Sequence, residues 1–370
     1  MNKRILAITA MVLFLGGGFL LWRQTEGRSI PGLTAKDRAL LRIWVLGAPG
    51  GGQAWLKQQL RAFEKANPGV STWVRTVAPE ELEYPETVLP DVVLYMPGDI
   101  QTPSQHFLPL SGEMSARNGL LREELLRCGR WQNQQFGLPL CWGGWTLAID
   151  SALEPGSAVT PAPATLLGRP AATADTQPSA APGYPYASAA QAACSLQSPG
   201  GAALFTAGLL LQELPPLPEN FGTLSASEVY AAFRSRQCAT AMLTTGQIAA
   251  FSALTSSGSG FPFRVMTASE IITDQIWLAS VTPDAPREAA LLLACLTSFE
   301  AQKTLTGQAL HTVRKDLTMY AAGTAAQIEQ AGQRSLAAVN AYMPSEQVQQ
   351  AAWQFFQGIL TLDEALLPLM

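Results

Sequence analysis

Residues 41–77 constrain the fold of this chain more than any other stretch. Leu41, Ile43, Trp44, Val45 and Leu46 make an apolar run rich in β-branched and aromatic residues, short enough for a strand buried on both faces of a sheet. Residues 47–52, ending Gly50-Gly51-Gly52, stop the run in a turn that side chains bearing a β-carbon would crowd. Leu56, Leu60 and Phe63 then recur at i, i+4 and i+7, while Lys57, Gln58, Arg61, Glu64 and Lys65 fill the other face of an amphipathic helix. Asn67-Pro68-Gly69 ends it, because proline cannot continue the helix and glycine accepts the left-handed exit. Val70, Thr72, Val74 and Thr76 alternate as a second strand. Strand, turn, helix and strand form one right-handed βαβ unit, which predicts an α/β fold.

A glycine-rich turn between strand and helix invites comparison with a phosphate cradle. The turn lacks the Gly-Lys-Ser/Thr ending of a P-loop, and its glycines do not have the GxGxxG spacing, so no nucleotide cofactor is expected. The 370-residue chain carries a net charge of -4, with 14% charged residues and no basic run beyond Lys3-Arg4. That balance excludes a nucleic-acid partner, which needs clustered lysine and arginine. His106 and His311 stand far apart, and no HExxH or GxSxG pattern occurs, so the chain is not expected to be an enzyme.

The N-terminus reads as an export segment. Lys3-Arg4 precede residues 5–22, which carry no charge, and Trp22-Arg23 suits a membrane interface better than a cleavage site. Residues 1–23 are therefore expected to be a signal anchor with the following chain outside the membrane, and residues 24–37 a tether. Cleavage after Gly18 is the competing reading and gives a secreted or periplasmic protein. Cys128, Cys141, Cys194, Cys238 and Cys295 include no CxxC pair. They read as buried small hydrophobes, with a Cys128–Cys141 disulfide as the alternative.

Further along, Pro90-Asp-Val-Val-Leu-Tyr95 reads as a buried strand ending at Pro97-Gly98-Asp99, and open α/β sheets bind ligands at that carboxyl edge. Tyr95 and Asp99 are candidates there, against the plainer readings of a core aromatic and a turn aspartate. Phe136-Gly-Leu-Pro139 leads into residues 141–150, where Trp142 and Trp145 flank Gly143-Gly144. Glycines in a strand interior admit close approach, and the indoles serve either as ligand surface or as core. Met242-Leu-Thr-Thr-Gly246 is a strand followed by a helix start, where Gly246 and Gln247 offer N–H donors to a ligand or simply cap the helix. Ile276-Trp-Leu-Ala-Ser-Val281 is a strand preceded by Asp274-Gln275, and Thr297-Ser-Phe-Glu300 reads as a capping box.

In this order the segments resemble extracellular solute-binding proteins of ABC importers, nearest the sugar-binding, maltose-binding-protein-like branch. The resemblance implies a two-lobe, type II periplasmic-binding-protein-like fold, each lobe a mostly parallel sheet flanked by helices and joined by hinge crossings. It places the first lobe at residues 38–140 plus 278–313 and the second at 141–277 plus 314–370. Gly50, Gly51, Trp55, Tyr95, Asp99, Trp142, Trp145, Gly246, Gln247, Asp274 and Gln275 become the expected lining of the cleft. The implied function is a receptor that closes over a small molecule, most simply a sugar or oligosaccharide, and delivers it to an ABC permease. Residues 155–201, rich in Ala, Pro, Ser and Gly, depart from the family pattern. That departure supports the alternative of a degenerate binding-protein fold kept as an envelope-anchored sensor or interaction module.

Overall fold

The structure, a computed structural model, describes residues 39–83, 89–110, 118–151, 201–210, 226–236 and 240–370. The expected anchor and tether, nearly all of the divergent stretch 155–201, Cys194 and Cys238 lie outside the described residues. Among the described residues no helix is long and apolar enough to cross a membrane.

The opening unit folds as its pattern requires. Strand β1 (Ala39–Val45), helix α1 (Gly52–Ala66) and strand β2 (Val70–Thr76) follow in order, with β1 and β2 parallel. The apolar stripe of α1, Trp55, Leu56, Leu60 and Phe63, is buried. Strand β3 (Val92–Tyr95) lies parallel on the other side of β1. A short antiparallel hairpin, β4 (Arg130–Trp131) with β5 (Gln134–Gln135), follows. Two later strands complete the sheet in the order β2-β1-β3-β11-β6: β11 (Ile276–Val281), antiparallel to β3, and β6 (Leu138–Trp142), antiparallel to β11. Helices α2 (Glu123–Cys128), α6 (Arg287–Leu296) and α7 (Phe299–Lys303) add Leu125 and Leu126, then Leu292, Leu293 and Leu296, and then Ala301 to the same core.

The second lobe is smaller and its sheet is antiparallel. β7 (Trp145–Asp150) is central, flanked by β8 (Thr240–Thr244) and β9 (Phe263–Met266). One face packs on α3 (Ala202–Leu210) and the C-terminal helices α9 (Ser345–Phe356) and α10 (Leu362–Leu366). The other face carries Phe233 of α4 (Ala226–Arg234) and Phe251 of α5 (Thr245–Ser256), which meet Phe261 and Phe263 edge to face or tilted. A parallel pair, β10 (Ile271–Thr273) with β12 (Leu336–Ala338), and helix α8 (Gly323–Arg334) lie between the lobes. Ile328 and Ala331 of α8 pack with the first-lobe core, whereas Ile272 of β10 packs with the second.

Two expectations are corrected in detail. The cap of α7 is Ser298, whose hydroxyl accepts from the Ala301 N–H, and Thr297 instead turns its hydroxyl back to the Leu293 carbonyl. Cys128 and Cys141 are both buried free thiols, so no bridge joins them.

Candidate functional site

Two of the chain's passages between the lobes run side by side. β6 passes into β7 through Gly143-Gly144, and β10 passes into β11 through Asp274-Gln275. The Gly143 N–H donates to the Gln275 carbonyl at 2.7 Å, and the Thr273 hydroxyl donates to the Gly143 carbonyl at 2.7 Å. Both bonds use backbone groups at a site with little room for side chains. A β-carbon on Gly143 would face Gln275 and Thr245, whereas one on Gly144 would meet Ile328 at 3.0 Å. Successive residues of an extended chain point to opposite faces, so the crossings have a face toward α5 and a face toward α8.

On the α5 face, the two lobes touch. Thr245, the first residue of α5, bonds Gly144 three times: its N–H donates to the Gly144 carbonyl at 3.0 Å, and its hydroxyl accepts from the Gly144 N–H at 2.9 Å and donates to the same carbonyl at 3.1 Å. The next residue, Gly246, lies against the first-lobe lip. A β-carbon on Gly246 would come within 3.3 Å of the Gly50 carbonyl oxygen and 3.4 Å of its Cα. Gly51 caps α1 with φ +83°, a left-handed conformation that side chains disfavour, and a β-carbon there would meet Gln308 at 2.9 Å. Glycine at 50 and 246 thus lets two backbones meet across the seam, while Gly51 seats the lip against Gln308.

The aromatic and polar candidates are disposed differently. Trp55 is fully buried, and its indole N–H donates to the Ala301 carbonyl and the Thr304 hydroxyl while its ring lies tilted against Trp277 at 6.4 Å. Trp277 in turn donates to the Gly47 carbonyl at 2.8 Å, tying β11 to the lip. Tyr95 is buried with its hydroxyl in a chain with Ser280 at 2.8 Å and Tyr342 at 2.7 Å, and burial pushes its pKa well up. Trp142 is buried, donates to the Thr312 carbonyl at 2.9 Å and stacks on His311 at 4.5 Å. Trp145 is buried and donates to Asp274 Oδ1 at 2.8 Å, and the other oxygen of Asp274 accepts from the Ala202 N–H at the start of α3. All four aromatic side chains are therefore packed within the lobes and crossings.

Gln247 spends its amide on structure. Its Oε1 accepts from the Thr244 N–H, which closes a capping box on α5, and its Nε2 donates to the Ala226 carbonyl. Gln275 is half-buried beside the first crossing and donates to Asp274 at 2.9 Å. Asp99 accepts from the Met96 N–H at 2.8 Å in the turn after β3, next to Gly47, where a β-carbon would lie 2.8 Å from its Oδ2. Burial holds the Asp99 carboxyl above the usual range; the Met96 N–H opposes that shift and Glu80 adds to it. Gly50, Gly51, Gly246 and Gln275 gather at the seam, with Asp99 behind the lip. Trp55, Tyr95, Trp142 and Trp145 support them from beneath.

The seam contributes backbone groups, an amide and a hydroxyl, which suits reversible binding of a neutral polar molecule. Among the described residues no three His, Cys, Asp or Glu side chains come together as metal ligands. Thr245 and His311 belong to this region without any sequence signal that singles them out. Thr245 is one hydroxyl residue beside Thr244, and its partner is about a hundred residues away.

No protein-family model matches the chain, and no curated protein does. Solved structures do. The GacH receptor of Streptomyces glaucescens, studied unliganded and with acarbose, shares 13% identity over 89% of this chain and 96% of its own, with a TM-score of 0.60. A cyclo/maltodextrin-binding protein complexed with maltotetraose shares 16% identity over 90% of this chain and 96% of its own, with a TM-score of 0.54. Iron-bound HitA from Pseudomonas aeruginosa shares 13% identity over 87% of this chain and 99% of its own, with a TM-score of 0.52. At these identities the likeness establishes the fold. It is the mixed α/β, two-lobe, type II architecture of periplasmic binding proteins.

Proposed function

We propose that the chain is an extracytoplasmic solute receptor that closes its two lobes over a carbohydrate and presents the closed form to an ABC import permease. The observation that carries the reading is the seam itself: paired crossings flank a point where Gly50 and Gly246 meet backbone to backbone. Two lobes on paired hinge strands move as bodies, and a ligand held between them favours the closed state through contacts made only there. Carbohydrate is supported by the acarbose and maltotetraose bound to two proteins of this fold. Gly50, Gly51, Gly246, Gln275 and Asp99 are the residues assigned to the ligand, and no catalytic role is assigned. Residues 1–23 are assigned as the membrane anchor that holds the receptor on the outer face.

The test is calorimetry of the full chain with maltotriose, maltotetraose, acarbose, chitin oligosaccharides, short peptides and ferric citrate. Saturable heat is expected with at least one oligosaccharide. Heat with ferric citrate alone, or with peptides alone, overturns the reading. Anchoring is checked by alkaline carbonate extraction, in which the full chain stays with membranes and a chain lacking residues 1–23 does not.

A further inference from the structure

On the opposite face of the crossings from Gly50 and Gly246, a groove of about 350 Å³ runs between α8 and the turn that joins β9 to β10. One wall is a stripe of α8. Gln327, Gln330 and Arg334 recur at i, i+3 and i+7, which places them in line along one helical face. Ala331, within the stripe, is buried and leaves a low methyl floor between the longer side chains. The facing wall is Thr267-Ala268-Ser269, with Ala268 buried and Ser269 exposed. The Thr267 hydroxyl reaches the Gln327 amide oxygen at 3.5 Å and closes one end.

The chemistry of this lining is specific. It offers two hydroxyls, two amides and one guanidinium around a small apolar floor, and no carboxylate lines it. Arg334 has no ion-pair partner among the described residues, and the Gln330 amide has no hydrogen-bond partner there. A guanidinium flanked by amides and hydroxyls matches one carboxylate attached to a polyhydroxylated body, because the fork of Arg binds both carboxylate oxygens and the neutral groups serve the hydroxyls. The volume is at the lower end of ligand sites and fits one sugar ring, not an oligosaccharide.

We propose that this groove is a second binding site, for a small sugar acid, separate from the seam between Gly50 and Gly246. Its walls come from α8, which packs through Ile328 and Ala331 on the first-lobe core, and from Thr267 and Ser269, which follow a strand of the second-lobe sheet. The site therefore lies at the joint between α8 and that sheet.

Calorimetry on the full chain tests it, with D-glucuronate as probe and D-glucose and inorganic phosphate as comparators. Saturable heat with glucuronate is expected, with affinity roughly tenfold or more weaker for glucose and for phosphate. Arg334→Gln and Gln330→Leu, both exposed and away from the cores, are each expected to weaken glucuronate binding and to leave any oligosaccharide titration as in wild type. Absence of glucuronate heat at millimolar concentration overturns the proposal. So does equal binding of glucose or phosphate, or unchanged glucuronate affinity in Arg334→Gln. Loss of oligosaccharide binding bears on the seam alone, so the two readings fail separately.

Discussion

The Gly50 carbonyl oxygen sits 3.3 Å from the point a β-carbon on Gly246 would occupy, so the first-lobe lip and the first turn of α5 meet with no side chain between them. Two effects compete at Gly246. Alanine improves an α-helix by about 1 kcal/mol relative to glycine, yet its methyl needs the lip to move back by a few tenths of an ångström. Valine adds more bulk at the same point. Gly246→Ala is expected to keep or raise the melting temperature while weakening ligand affinity. Gly246→Val is expected to weaken it further, by roughly 1–3 kcal/mol in all, the cost of overpacking a tight contact. Small-angle scattering checks the cause: the Val variant has the larger radius of gyration at saturating ligand. An unchanged radius with unchanged affinity removes this contact from closure.

The indole of Trp145 is committed to Asp274, and both side chains are buried at the point where the second lobe begins. Trp145→Phe keeps an aromatic ring but removes the donor. The carboxylate then loses one of its bonds in a buried site, which costs about 1–3 kcal/mol. Urea titration is expected to show that loss as a lower midpoint with an unchanged slope. Ligand affinity at pH 7 is expected to stay within about twofold, since the ring packs inside the lobe. A large affinity loss with unaltered stability contradicts that placement.

The sequence pattern carries the first lobe well because its strands and helices are short periodic segments with unambiguous stops. The run ending at Val45, the Leu56-Leu60-Phe63 stripe and Ile276–Val281 each bury the residues their spacing marks. Gly143-Gly144 was legible as a close approach, but what approaches was not: Thr245 and Ile328 come from elements about one hundred and nearly two hundred residues away. The aromatic candidates show the same limit. A tryptophan beside glycines has the same local signature whether its indole meets a ligand or, as for Trp142, the Thr312 carbonyl. Gln247 is instructive in another way. Its place at N3 after Thr244 is a capping-box pattern, and the amide follows that local rule.

Cys128 and Cys141 are buried thiols, and burial pushes the pKa of each well up. The thiolate is the reactive form, so both are expected to resist modification in the folded protein at neutral pH. Reaction with an Ellman-type reagent, followed by peptide mapping, is expected to leave Cys128 and Cys141 unlabelled natively and to label both in urea without prior reduction. Labelling that requires a reductant in urea contradicts the free-thiol state.

His311 makes the stability of the crossings depend on acidity. Its ring is fully buried, stacked on Trp142 at 4.5 Å and set edge-on to Tyr320 at 5.2 Å, and neither ring nitrogen has a hydrogen-bond partner. Burial, with the Arg122 guanidinium acting in the same direction, lowers its pKa to about 3. In the unfolded chain the imidazole titrates near its ordinary value of about 6.5. Below that pH the unfolded state takes up a proton that the folded state refuses until about pH 3, so stability is lost as pH falls through this window. The slope attributable to one such group is at most about 1.4 kcal/mol per pH unit. Urea midpoints from pH 7.5 down to 4.5 are expected to fall in the wild type and to fall less steeply in His311→Phe, which keeps the stacking but cannot titrate. The Phe variant also removes two unpartnered buried nitrogens, so it is expected to match or exceed wild-type stability at pH 5. An equal slope in the two proteins assigns the acid sensitivity elsewhere.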